Sequence, residues 1–237
     1  MGTLTIIATP IGNLGDITER AKALIPHLDI LCCEDTRHTG NLVSLLGIGR
    51  PQLYVANHEH NERAMAARIV SWLDEGKRVG LCSDAGYPVI SDPGYPAVCA
   101  AIAAGHDIEV LPGAGAVPLA LIKSGLPPSS YTFKGFPPRK PGRRRAFLEE
   151  DRESRHTLIF YESPFRIGKL LAEALEVYGD RPAAVCLELT KQFERVARGT
   201  LSELAAQFGD KPVKGEAVIV VGGRTAPEEA DEGDEPD

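Results

Sequence analysis

The 237-residue sequence has no apolar stretch approaching the roughly 20 residues that a membrane-crossing helix needs. Its opening, MGTLTIIATPIGN, has no basic segment and only a short apolar run, so no secretory signal is expected there. The five cysteines (Cys32, Cys33, Cys82, Cys99, Cys186) are odd in number and never spaced CxxC. Neither a zinc ribbon nor a disulfide framework fits them; reduced, buried thiols in a bacterial-type cytoplasm are expected. Three common catalytic signatures are also missing. There is no GxxxxGK[ST] loop, because Gly168-Lys169 lacks the first glycine, no GxSxG elbow and no strict GxGxxG. His58-Glu59-His60 invites a metal reading, but residues two apart on a helix face different ways, so surface or substrate-facing histidines are preferred and no metal is expected.

The acid excess is less than it looks. Of the net −7, residues 224–237 carry one arginine and seven acids. That tail has no branched apolar or aromatic residue and is expected to be disordered and solvated. The remaining body is close to neutral, so net charge does not argue against an anionic partner. Composition, with 43% apolar and 25% charged residues, is that of an ordinary globular chain.

Glycine-punctuated loops are abundant. Thr9–Asp16 (TPIGNLGD), Ser83–Gly94 (SDAGYPVISDPG) and Leu111–Ala116 (LPGAGA) each follow a short β-rich run: Leu4–Ala8, Val79–Cys82 and Ile108–Leu111. Each precedes a helix-like pattern. In an open α/β sheet such loops gather at the carboxyl edge, where ligands bind. Glycine there lets main-chain groups approach a ligand closely.

The organisation follows. Asp16 reads as the N-cap of a first helix, Leu28–Cys33 as a second strand, and Glu59–Glu75 as a long helix ended by Gly76, with Pro93 in the first turn of another. After a Gly/Pro-rich connection, strands are expected at Tyr131–Phe136, Thr157–Tyr161, Ala183–Leu189, Phe193–Arg198 and Glu216–Val221, with helices at Arg143–Glu153 and Pro164–Tyr178. Alternation in the first half implies a mainly parallel sheet; closely spaced strands in the second imply a mixed one. The expectation is two α/β domains, 1–112 and 113–223, with a cleft between them and the acidic tail 224–237 beyond.

Three constellations carry chemistry. Glu34-Asp35-Thr36-Arg37 follows a strand, suiting acid–base work or ligand positioning, and equally a helix N-cap with a local ion pair. Tyr161-Glu162-Ser163-Pro164 is a second strand end feeding a helix, where capping is the plain alternative. Lys134–Arg145 (KGFPPRKPGRRR) concentrates Lys134, Arg139, Lys140, Arg143, Arg144 and Arg145 around Phe136. Basic charge beside an exposed aromatic suits RNA backbone contact and stacking; a solvated loop is the alternative.

Taken in order and spacing, TPIGNLGDIT, CEDTRHT, NHEHNE, SDAGYPVISDPGY, SGLP, GFPPRK, FYESPFR, ELTK and RGTLSEL are similar to the ribosomal RNA small-subunit methyltransferase I family. That family sits among the tetrapyrrole-methylase-like, S-adenosylmethionine-dependent enzymes, and the likeness runs from about Thr3 to Val221. It implies methylation of the ribose 2′-hydroxyl of a cytidine in 16S ribosomal RNA, with the RNA presented in the small ribosomal subunit. It also implies two α/β domains of tetrapyrrole methylase-like fold, S-adenosylmethionine in the interdomain cleft, and a homodimer.

The resemblance places Ile11, Gly12, Asn13, Ser83, Asp84, Ala85, Gly115, Ala116, Glu162 and Ala217 beside the cofactor. Glu34 aligns with an acidic residue considered catalytic in some tetrapyrrole methylases. On this reading Glu34 or Asp35 takes the hydroxyl proton, Arg37 anchors a phosphate or carboxylate, and the basic strip clamps RNA. The chain departs from the family pattern at Tyr87, where threonine is usual, at Ala114-Gly115, where Pro-Ser is usual, and at Phe165, where histidine is usual. Two other readings stay in view: a methyltransferase of a tetrapyrrole or other small molecule, and an RNA-binding assembly factor that does not methylate.

Overall fold

Short β-rich runs, each followed by an amphipathic helix, build the first part of the chain. β1 (Thr3–Ile7) leads through a 3-10 turn (Leu14–Asp16) and α1 (Glu19–Leu24) to β2 (Ile30–Cys33). Then α2 (Thr36–Leu45) leads to β3 (Leu53–Ala56), α3 (Glu62–Asp74) to β4 (Val79–Cys82), and α4 (Tyr95–Ala103) to β5 (Asp107–Leu111). Every pairing is parallel, in the order β3-β2-β4-β1-β5. This is a computed structural model that describes residues 1–209 and 213–224. It divides into two compact units, Met1–Ala116 and Val117–Asp237. The expected acidic tail falls on 225–237, outside the described residues.

A parallel sheet with helices on both faces has no polar side, which explains runs such as Ile30-Leu31-Cys32-Cys33. Successive side chains alternate. Leu4, Ile6, Ile30, Cys32, Val79 and Leu81 pack with Met65 and Ile69 of α3 and Ala97 and Ala101 of α4. Ile7, Leu31, Cys33, Cys82 and Leu111 pack on the other face with Ala21 of α1 and Val43 of α2. Each fully buried aliphatic chain contributes about 1.5–3 kcal/mol.

The second unit opens in α5 (Ala116–Ser124), then runs β6 (Tyr131–Phe133), α6 (Pro141–Glu149), β7 (Thr157–Glu162), α7 (Ile167–Tyr178), β8 (Pro182–Leu187), β9 (Arg195–Thr200), α8 (Leu201–Phe208) and β10 (Ala217–Val221). Its order is β6-β7-β10-β8-β9; only β6 and β7 are parallel. A parallel first sheet and a mixed second one are what the sequence pattern implies. One face of the second sheet holds Leu170, Leu171 and Ala174 of α7 and Leu201 and Leu204 of α8.

Several boundaries move for identifiable reasons. Asp16 does not cap α1: it closes the 3-10 turn capped by Asn13, and Thr18 caps α1 by accepting the Ala21 N–H. The long helix starts at Glu62 rather than Glu59, because Asn61 locks residues 56–61 in a turn. The proline in the first turn of α4 is Pro96, and Pro93 precedes the Gly94 cap. All five thiols are free, and four are buried; Cys99 is exposed. Burial pushes Cys33 and Cys186 up to about 11 and Cys32 up to about 12, so these thiols stay protonated.

Candidate active site

Strand order fixes where the first unit can bind a ligand. From β2 the chain moves outward through α2 to β3; from β4 it moves the opposite way through α4 to β5. Neighbouring strands whose connections diverge leave a crevice at their carboxyl ends. Here that crevice lies between the end of β2, with Glu34, and the end of β4, with Ser83 and Asp84.

The glycine loops beside it are tied together by main-chain contacts. Thr9 and Gly86 exchange both backbone hydrogen bonds, N–H to C=O at 2.9 and 3.1 Å, joining the first loop to the second. The Thr9 hydroxyl also donates to the Ser83 carbonyl at 3.1 Å. Gly86 has φ +80°, and a Cβ there would meet Ile11 at 3.3 Å. The third loop passes so close that a Cβ on Gly113 would lie 2.7 Å from the Ala8 Cβ. Its Gly113 N–H donates to the Tyr87 hydroxyl at 2.9 Å, joining the second loop to the third. Thus Ile11, Gly12, Asn13, Ser83, Asp84, Ala85, Gly115 and Ala116 belong to one connected assembly at the carboxyl edge. Asn13 caps the 3-10 turn, its Oδ1 accepting the Gly15 N–H, and Ala116 opens α5.

Carboxylates crowd the same crevice. Asp84 Oδ1 accepts the Asp35 backbone N–H at 3.3 Å, bridging the ends of β2 and β4. Asp92 joins from the segment between Gly86 and α4, where Val89 and Ser91 hold positive φ of 77° and 65°. Such backbone is strained and persists only where its surroundings enforce it. Burial, then the Asp84 charge, push the Glu34 carboxyl above its ordinary value. Burial, then the Glu34 charge, push Asp92 up to about 6, with Asp84 adding and a Ser83 hydrogen bond opposing.

The sign of the Asp92 effect gives a test. Its folded value lies above the ordinary aspartate value of 3.8, so it contributes stability that is full below that value and lost as pH rises through 6. Asp92→Asn keeps the neutral form at every pH. Thermal unfolding should therefore show the variant more stable than wild type at pH 8, with the difference closing near pH 4. A gap of the same size at both pH values would mean Asp92 is not crowded by its neighbours.

Asp35 and Arg37 behave differently from Glu34. Asp35 is the N-cap of α2: its Oδ1 accepts the Arg37 N–H at 2.8 Å, and its Oδ2 pairs with the Arg37 guanidinium at 3.0 Å. Arg37 thereby holds Asp35 down at about 2. Of the two readings of this motif, the cap with a local ion pair describes Asp35 and Arg37. Glu34 is the carboxylate left facing the crevice.

In the second unit, Glu162 ends β7 and is directly paired in register with Ala217 at the start of β10. Glu162 is buried; its Oε1 accepts the Ser163 N–H and meets the Arg166 guanidinium, while Oε2 has no partner among the described residues. A buried carboxylate oxygen without a donor is costly unless something supplies one.

The basic strip needs correction. Arg144 is 4% exposed, and its guanidinium forks onto Glu173 at 2.7 and 2.5 Å. It is a buried ion pair joining α6 to α7, not a phosphate contact. The reason is periodic: once Pro141 starts a helix, Arg144 and Leu148 share its inward face. Lys134 is held by Glu150 and Asp151 at 2.9 and 2.7 Å and lies over the Phe147 ring. Arg145 bridges Glu149 and Glu176. Arg139, Lys140 and Arg143 are exposed and form no ion pair among the described residues, and Phe136 is exposed beside them in sequence.

Similarity to known proteins decides the family. Residues 3–205 match the model of the Tetrapyrrole (Corrin/Porphyrin) Methylases. A ribosomal RNA small subunit methyltransferase I from Xylella fastidiosa is 47% identical over 94% of this chain and 82% of its own length. One from Streptococcus pyogenes serotype M1 is 43% identical over 97% of this chain and 79% of its own. The chain belongs to the ribosomal RNA small subunit methyltransferase I family of tetrapyrrole methylases. The fold agrees: a uroporphyrin-III C-methyltransferase from Thermus thermophilus, solved with S-adenosylhomocysteine, matches 94% of this chain and 97% of its own at a TM-score of 0.58 and 20% identity.

Within this methyltransferase family the departure at Tyr87 now has a setting. Tyr87 does not merely lose a threonine hydroxyl; its phenol reaches the Gly113 N–H and fastens two loops. Sequence reasoning missed Asp92 altogether. Ser91-Asp92-Pro93-Gly94 reads as turn chemistry, and only the fold-back of the strained segment brings its carboxylate to Glu34.

Proposed function

We propose that this chain transfers the methyl group of S-adenosylmethionine to the ribose 2′-hydroxyl of a cytidine in 16S ribosomal RNA. The observation that carries this is 43–47% identity, over 94–97% of the chain, to relatives named for that subunit's RNA. The cofactor is supported by the S-adenosylhomocysteine in the Thermus thermophilus structure and by the chemistry of the carboxyl edge. Glu34, Asp84 and Asp92 make that edge negative, which suits a sulfonium cation, and close-packed main chain at Gly86 and Gly113 suits a ligand held by backbone groups. Ile11, Gly12, Asn13, Ser83, Asp84, Ala85, Gly115 and Ala116 would hold it on the first unit, and the family resemblance adds Glu162 and Ala217. The homodimer, the cytoplasmic setting and a substrate presented in the small ribosomal subunit belong to the same reading.

When bound, the cofactor supplies an electrophilic methyl on a good leaving group, so the chemistry needs no metal. The protein's part is alignment and proton handling. Glu34, with its carboxyl raised by burial and by Asp84, is a stronger base than an ordinary glutamate and takes the hydroxyl proton as oxygen bonds to carbon. Asp35, at about 2 and committed to the cap, is a weak base. Arg139, Lys140 and Arg143 provide the phosphate contacts assigned to the strip.

Changing Arg139, Lys140 and Arg143 together to alanine tests the substrate class. Titrations of 16S RNA fragments should show weaker binding and a log–log salt slope lowered by about 2, the value for three phosphate contacts on a single strand. Radiolabel from S-adenosylmethionine should enter RNA with wild type and not a tetrapyrrole. Label in the tetrapyrrole, with RNA binding indifferent to the triple change, would favour the small-molecule reading.

A further inference from the structure

Asn57 is 1% exposed, and both polar atoms of its carboxamide, Oδ1 and Nδ2, lack a hydrogen-bond partner among the described residues. Leaving a buried donor and acceptor unsatisfied is expensive, and native proteins rarely tolerate it without a use. The surroundings do not need this side chain. The Asn57 backbone N–H already donates to the Cys33 carbonyl at 2.8 Å. The turn that follows is fastened by a different carboxamide: Asn61 accepts the His58 N–H at 2.8 Å and donates to the Ala56 carbonyl at 2.9 Å. One asparagine holds the turn. The other is left with nothing to hold.

Its position is specific. β2 and β3 are parallel with Cys33 opposite Ala56, so Glu34 and Asn57 are the next pair in register beyond the strand ends. Paired residues in a parallel ladder project to the same face. That face is the one on which Cys32, Val55, α3 and α4 pack. The idle carboxamide therefore stands beside the carboxylate that faces the crevice, at the same edge of the same sheet.

We infer that Asn57 is a substrate-positioning contact, its carboxamide receiving the ribose hydroxyls of the target nucleotide next to Glu34. A hydroxyl both donates and accepts, so one ribose satisfies Oδ1 and Nδ2 together. At 1% exposure the carboxamide is closed to solvent, so its surroundings must part for a sugar inserted from the RNA to reach it, and a phosphate held at the surface would not touch it. The inference rests on the proposed RNA substrate.

The test is Asn57→Leu, which keeps the volume and removes both orphan atoms. The variant should unfold at the same temperature as wild type or a higher one, bind S-adenosylmethionine equally well, and lose at least tenfold in kcat/KM for RNA. A second readout isolates the contact. Wild type should bind RNA carrying a 2′-deoxy target nucleotide several-fold more weakly than the ribonucleotide, and Asn57→Leu should lose that discrimination. Retention of the wild-type discrimination by the leucine variant overturns the inference, whatever its stability. If the leucine variant does not fold, Asn57→Ala is put through the same comparison; failure of both to fold shows the carboxamide holding structure and also overturns it. A wild type that neither methylates RNA nor distinguishes the two substrates contradicts the proposed function itself.

Discussion

Glu34→Gln should slow methyl transfer by roughly 10²-fold or more, the usual contribution of a positioned proton acceptor. Cofactor and RNA binding should largely persist, because the amide keeps the shape of the carboxylate while Asp84 and Asp92 keep the edge negative. The same change takes one negative charge away from Asp92, whose rise to about 6 owes its second-largest cause to Glu34. Asp92 should therefore titrate at lower pH in the variant. Single-turnover rates across a pH series, read with binding titrations, separate these effects. Loss of RNA affinity at an unchanged transfer rate would assign Glu34 to binding instead.

The largest effect on stability is expected at Arg144. Removing one member of a buried ion pair strands the other, at a cost of about 3 kcal/mol, the lower end of the usual range, since Glu173 is partly exposed. Arg144→Ala should show this as a lowered midpoint in urea, with the slope unchanged. Arg143→Ala, one residue away and exposed, should leave stability alone and weaken RNA binding. Equal stability of the two variants would return Arg144 to the surface and restore a continuous basic strip.

These two residues show how far the sequence carries. Charge density named the strip, but charge density has no periodicity in it. Only the start of α6 at Pro141 decides that Arg144 turns inward with Leu148 while Arg143 does not. β1, β2 and β4 were legible because strands buried on both faces are continuous apolar runs, and β5, an edge strand, was marked by the glycine loop that follows it. β3 was not: Leu53–Ala56 is apolar, but it is a short edge strand, one exposed residue followed by three half-buried ones, and no glycine loop follows it. α8 carried a readable signal, the capping box of Thr200 and Glu203 ahead of Leu201, Leu204 and Phe208, which strand periodicity nearby obscured. At the carboxyl edge, loops with glycine marked the right places. Asp92 and Asn57 were hidden because their significance comes from Glu34, 58 and 23 positions earlier in sequence, and no local pattern reports that proximity.

The central claim is that this sheet edge methylates a ribose oxygen. Small ribosomal subunits lacking the modification, incubated with the protein and S-adenosylmethionine, should yield on complete digestion a cytidine whose added methyl group stays with the sugar fragment in mass spectrometry. Glu34→Gln should yield little of it in the same time. A methyl group that travels with the base, or no methylated nucleoside from subunits or free RNA, would contradict the account.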